Sequence, residues 1–307
     1  MPLLVIKMTI FKVMVATDKP ISLGSFLEKS GFSKQAINNA KNLGGWLLVN
    51  HKKRYTNYLV RSGDEVIFIP GKEPANLWLK PSNKPLNIIK ETENYLVINK
   101  PASLLSIPSR YDDNAIVNRV LGYFARNKLT EVKPHIITRL DRDTSGLVLV
   151  GKNAIAHGRF SKISKADFVK KYHAIVHGNF SQNKLEGMID LPIGRMNKSI
   201  KRTIDVKGKE AVTAYRVIDQ IPDMSLVELR LYTGRTHQIR LHMQAIGHPL
   251  YGDQLYGIKD EFKRQALNCF YLAFPDPFAK NELVKVEVAD AADMQKLWQE
   301  HKFLSLT

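Results

Sequence analysis

The chain has 307 residues, 44% hydrophobic and 24% charged, which suits one large or two unequal folded domains and excludes a disordered or fibrous protein. Its 46 Lys and Arg outnumber 29 Asp and Glu, and the resulting +17 calls for a polyanionic partner, nucleic acid ahead of an anionic membrane. A single cysteine, Cys269, excludes an intrachain disulfide and thiolate-rich metal sites; within the apolar run LNCFYLAF it reads as a buried structural thiol.

The opening stretch MPLLVIKMTIFKVMVA has the look of a leader, but Lys7 and Lys12 interrupt it. No apolar run approaches the roughly 20 residues of a membrane span, so a cytoplasmic location is expected. Ser22 is placed to cap a helix with Leu23, Phe26 and Leu27 on one face and Gly31 at its end. Ser33 opens a second helix that stops at Gly44 and Gly45. WLLVN, YLV and EVIFI then read as short strands in hairpin order. The helices and the following turn carry Lys29, Lys34, Lys41, Lys52, Lys53 and Arg54, which composition alone would leave as a solvated face. The L-x-x-F-L start, the S-x-x-x-I opening of the second helix, the GG-W-L-L-V-N turn and the closing V-R-S-G-D-E-V resemble the S-four-type RNA-binding domain. That resemblance implies RNA contacts from Lys34, Lys41, Lys52, Lys53 and Arg54. The module is expected to span residues 1–72.

Pro74, Pro81 and Pro85 stiffen an aperiodic linker over residues 73–87. From 88 to 303, β-rich runs (YLVIN, GLVLVG, FVKKYHAIVHG, SLVELRLYTG, LVKVEV) alternate with the helical patterns AIVNRVLGYFARN and DMQKLWQEH, giving a mixed α/β domain in which strands predominate.

Three stretches could carry chemistry. In IITRLDRDTSGLVLVG a charged knot holding Arg139, Asp141 and Arg142 lies between apolar strands, either a solvated loop or a functional loop on a rigid sheet. In LYTGRTHQIRLHMQAIGHPLYGD, His237 and His242 are five apart rather than four and lack a completing carboxylate, which rejects a zinc site. A helix opening near Thr236 would instead align His237, Arg240 and Gln244 on one face able to meet a carboxylate. In FVKKYHAIVHG, alternation puts Lys170, Tyr172, Ala174 and Val176 on one side of a strand, where a tyrosine is ordinarily a core ring.

Together YLVINKP, RLDRDTSGL, K-x-Y-x-A-x-V-x-G, G-x-E-A-x-T-x-Y, TGRTHQIRLH and GHPLYGDQLYG resemble the RluA-type RNA pseudouridine synthases across nearly the whole second domain. The resemblance implies a mostly antiparallel mixed sheet and the cofactor-independent, metal-free isomerisation of uridine in RNA. It further implies that Asp141 is the catalytic carboxylate, that Arg240 pairs with it, that Tyr172 stacks on uracil, and that Arg139 fills the space of the flipped nucleotide. Large-subunit ribosomal RNA is the expected substrate, transfer RNA the alternative, and a monomer the expected state. Thr138, Ser103, Ile107 and Asn268 depart from the family's usual His, Gly, His and His.

The reaction breaks the bond from ribose C1′ to uracil N1 and rejoins the ring through C5. A carboxylate can attack C1′ or take the C2′ proton, and the sequence leaves both routes open. A hydrolytic glycosidase would need two facing carboxylates and an admitted water. Two rivals remain at this level: a non-catalytic RNA-binding protein of the same fold, and a DNA-binding regulator using the two N-terminal helices as a helix-turn-helix.

Overall fold

The computed structural model describes residues 10–73, 79–109, 112–129, 133–196, 199–280 and 282–306. Its N-terminal module runs β1 (Phe11–Met14), β2 (Ile21–Ser22), α1 (Leu23–Lys29), α2 (Lys34–Asn42), β3 (Trp46–Val49), β4 (Lys52–Lys53), β5 (Leu59–Val60) and β6 (Glu65–Ile69). The two serines cap as their positions imply, Ser22 Oγ accepting from Ser25 N at 3.3 Å and Ser33 Oγ from Ala36 N at 3.1 Å. Leu23, Phe26, Leu27, Phe32, Ile37 and Phe68 close a core between the helices and the sheet. Each such side chain contributes about 1.5–3 kcal/mol through burial.

The strand order is β1-β6-β3-β4, which corrects the simple hairpin reading. β5 leaves that sheet to pair with β2, and β1, inside the leader-like stretch, supplies an edge strand. The first nine residues of that stretch lie outside the described residues.

The larger body runs β7 (Ile88–Glu91), β8 (Tyr95–Lys100), α3 (Ile116–Arg126), β9 (His135–Ile136), β10 (Ser145–Gly151), α4 (Ala154–Phe160), β11 (Val169–His177), β12 (Glu186–Asp190), β13 (Ile193–Arg195), β14 (Arg202–Ile204), β15 (Val212–Ile221), β16 (Met224–Leu231), α5 (Gln238–Ala245), β17 (Leu267–Pro275), β18 (Leu283–Glu287) and α6 (Ala292–Leu304). Its sheet has the order β12-β15-β16-β11-β17-β10-β8-β7, with β9 added to β10 and β18 to β17. Every neighbouring pair is antiparallel except β10 with β17. At that parallel junction Gly146 has φ +110° and lies against the Cys269 backbone, so a side chain there would be both strained and blocked.

The proline-bearing segment hugs the larger body. Ser82 N donates to Asn118 O at 2.9 Å, Asn118 Nδ2 to Lys80 O at 2.9 Å, and Arg126 to Asn83 Oδ1 at 2.9 Å, all from α3 or its edge. Residues 74–78, including Pro74, lie outside the described residues. The two cores meet at α4: Ile155 joins the N-terminal core, and the Arg159 guanidinium lies over the rings of Phe11, Phe32 and Phe278. Glu73 accepts from the Ala154 N–H at 2.7 Å at the start of the same helix.

Candidate active site

The loop between β9 and β10 carries the charged knot, and its backbone is pinned at successive residues. Ser106 Oγ donates to Leu140 O at 3.0 Å and accepts from Leu140 N at 3.2 Å. Lys100, fully buried, donates from Nζ to the carbonyls of Arg142 at 2.8 Å, Leu104 at 2.8 Å and Pro101 at 3.0 Å. Arg264, held by Asp293 at 2.6 and 2.7 Å, donates to Asp143 O at 3.1 Å. Backbone carbonyls gripped on both sides of Asp141 leave that side chain little freedom to move. Burial pulls the Lys100 ammonium down to about 7, against the nearby charges of Asp143 and Asp141.

Asp141 faces a cavity of about 320 Å³ lined also by Arg139, Lys170, Tyr172, Arg235, His237 and Arg240. Among the described residues it is the only carboxylate on that wall, set among five basic side chains. The cavity therefore gathers Arg139, Asp141, Tyr172 and Arg240 from three places in the chain. Arg139 Nη2 donates to Thr236 Oγ1 at 3.0 Å, which ties the knot to the turn before α5. Tyr172 is buried on β11, and burial followed by the adjacent Cys269 pushes its phenol well above the ordinary tyrosine range.

The pairing expected of Arg240 is present, with Nη1 at 3.6 Å from Asp141 Oδ2. Its tighter partner is one that sequence reasoning missed: Nε and Nη2 each reach an oxygen of Asp253 at 2.6 Å. Asp253 Oδ1 also accepts from Leu255 N and Tyr256 N. Burial opposes charge on both members, but their mutual hydrogen bonds outweigh it, raising Arg240 and depressing Asp253. The fork is thus fixed before it meets Asp141.

The shared helix face needs correcting. His237 is the N-cap of α5 with φ +59°, its Nδ1 3.1 Å from the Tyr256 hydroxyl, and Gln244 is exposed. Gln238 and His242 latch α5 to its surroundings instead. Gln238 Nε2 donates to Val212 O at 3.0 Å and Thr213 Oγ1 at 2.9 Å. The ring nitrogens of His242 lie 2.9 Å from Thr213 Oγ1 and 3.0 Å from Leu191 O. Burial lowers His242, so it is a satisfied neutral core histidine.

The departures have structural readings. Ser103 has φ +58°, a backbone that favours glycine, and donates to Asp143 Oδ1 at 3.4 Å. Thr138 is buried and accepts from Leu149 N at 2.9 Å. Asn268 accepts from Ser145 Oγ at 2.7 Å and donates to Asp290 at 3.0 Å. Ile107 is exposed on a groove of about 680 Å³ that Asp141 and Arg139 also border.

The basic residues of the N-terminal module lie at its surface, with Lys34 and Lys41 seven apart on α2. Lys53 Nζ sits 4.9 Å from the Trp46 ring centroid and the Arg54 guanidinium 4.7 Å from that of Tyr58. Trp46 and the neighbouring Tyr55 are 49% and 73% exposed, so cations and open aromatic faces share one surface. Among the described residues, no helix is long and apolar enough to cross a membrane.

Residues 94–245 match the family model described as RNA pseudouridylate synthase. An uncharacterized RNA pseudouridine synthase of Bacillus subtilis is 40% identical over 271 residues, covering 87% of this chain and 94% of its own. The ribosomal large subunit pseudouridine synthase D of Zymomonas mobilis is 38% identical over 250 residues, 75% of this chain and 77% of that one. Among solved structures, human RNA pseudouridylate synthase domain containing 1 aligns with a TM-score of 0.57 at 25% identity, over 75% of this chain and 97% of that one.

Proposed function

Because the chain belongs to the RNA pseudouridylate synthase family and isomerises uridine to pseudouridine within RNA, we propose that Asp141 is its catalytic carboxylate and large-subunit ribosomal RNA its substrate. The observation that carries the first part is that, among the described residues, Asp141 is the one carboxylate in a cavity otherwise lined by basic, uncharged polar and apolar side chains. Among the described residues, hydrolysis by paired carboxylates finds no second partner on that wall, whereas isomerisation needs only one.

Arg240, preset by Asp253, stands 3.6 Å from Asp141 and orients its carboxylate for C1′ or for the C2′ proton. Tyr172 holds the detached uracil by its ring so that N1 can turn away and C5 can turn in. The target base must leave its stack first, at a cost of a few kcal/mol, and Arg139 on the cavity wall fills the space it vacates. The basic and aromatic surface of residues 1–72, in the manner of an S-four-type domain, grips the RNA backbone and flanking bases, and 73–87 joins it to the catalytic body at 88–303.

The ribosomal assignment rests on relatives named as large-subunit synthases in Zymomonas mobilis and Haemophilus ducreyi. Tritium release from C5-labelled ribosomal and transfer RNA, each from cells lacking this protein, tests it. Release from ribosomal RNA alone is expected. Release from transfer RNA alone would overturn the substrate.

A further inference from the structure

A second cavity, also about 320 Å³, opens beside the first and shares Ile137, Thr138, Lys170, Leu231, Gly234 and Arg235 with it. Its remaining wall is of a different kind. Phe160, Ile163 and Phe168 make it apolar and aromatic, and His157 and Lys165 add basic groups at its edge. Phe168 is half-buried and stacks on Phe274 with centroids 5.8 Å apart, which holds its ring in place. Lys170 lines both cavities, and among the described residues its amine pairs with no carboxylate. Burial pulls the Lys170 ammonium below its ordinary range, and an anion arriving beside it would favour the charged form. His157 and Phe160 come from α4, the helix whose Ile155 and Arg159 carry the N-terminal module. A strand leaving the first cavity through the second therefore heads toward that module.

We propose that the second cavity seats the nucleotide adjacent to the target uridine in the same RNA strand, its base against Phe168 and its linking phosphate against Lys170. This rests on the reading that the Asp141 cavity takes the target. An aromatic floor suits any base by its π-face, and a cation at the junction of two base sites is where a polynucleotide must place a phosphate. The pair thus reads the substrate as a strand rather than as a free nucleoside.

The test uses the full chain and steady-state tritium release from C5-labelled RNA, on whichever of ribosomal or transfer RNA is turned over. Phe168→Leu keeps the apolar volume and removes the π-face; Lys170→Met keeps the stem and removes the charge. Each should raise KM about tenfold while kcat changes far less, the loss of one stacked base or one phosphate contact. Lys170→Arg should restore KM, and Lys170→Met should lower the salt dependence of KM by about one phosphate. A merely structural lysine would not give that salt slope or that rescue. Wild-type KM in both variants, with Asp141→Ala still inactive in parallel, would overturn this proposal and leave the target-site reading standing. Full activity in Asp141→Ala would overturn both.

Discussion

Replacing Asp253 by Asn removes the charge that faces Arg240 while keeping the side chain's shape. Arg240 is 5% exposed and Asp253 3%, so water cannot stand in for the lost carboxylate. The amide oxygen can retain only part of the set that now serves Arg240, Leu255 N and Tyr256 N. Breaking a buried pair costs about 3–5 kcal/mol. Because Asp141 still stands 3.6 Å from the guanidinium, the low end, about 3 kcal/mol, is expected. In thermal unfolding at neutral pH this lowers the midpoint by roughly 5–10 °C. The pH dependence has a definite sign. Asp253 is depressed in the fold, so its contribution is complete above the unfolded carboxylate value of about 3.9 and is lost as pH falls through its lower folded value. The gap between wild type and Asp253→Asn should therefore be constant near neutrality and shrink in acid. An unchanged midpoint at pH 7, or a gap that widens on acidification, would refute the assigned role of this pair.

Lys100→Met leaves three loop carbonyls without their donor and should cost about 3 kcal/mol in denaturant unfolding, at roughly 1 kcal/mol each. Since burial holds Lys100 at about 7, the folded chain binds fewer protons than the unfolded one above that pH. Wild-type stability should therefore gain relative to Lys100→Met as pH rises from 7 toward 10, and a gap independent of pH would contradict this. Tyr172→Phe keeps the stacking ring and should leave both RNA affinity and tritium release within a few-fold; slowing by about 100-fold, the typical scale of a lost proton-transfer group, would contradict a role confined to stacking. Neutralising Lys52, Lys53 and Arg54 together should weaken RNA binding uniformly and reduce the logarithmic salt slope by about 3, and an unaltered slope would remove this surface from the RNA interface.

What could be read from the chain divides by the range of the interaction that decides it. Ser22 and Ser33 cap helices through atoms three residues away, and the alternation that puts Tyr172 inward on β11 is local too, so both are visible in a linear pattern. The family was legible in RLDRDTSG and TGRTHQIR because the strings themselves carry the knot and the fork. Their support was not. Asp253 meets Arg240 from 13 positions away, Lys100 reaches Arg142 O from 42, and Arg264 reaches Asp143 O from 121. None of these leaves a periodicity, because each depends on which strands become neighbours. The same cause hid the β5–β2 pairing and placed His237 in a left-handed cap rather than on the helix face. A buried lysine looks in sequence like any surface lysine, and only its three carbonyl acceptors distinguish Lys100.

The assignment of Asp141 is tested most directly by comparing wild type with Asp141→Ala for tritium release from C5-labelled RNA, with RNA affinity measured on the same preparations. The side chain is partly exposed, faces a cavity and makes one ion pair at 3.6 Å, so its removal should leave the fold and RNA affinity nearly intact. Complete loss of release with affinity within a few-fold is the predicted result. Release at the wild-type rate from a folded Asp141→Ala protein would contradict the account at its centre.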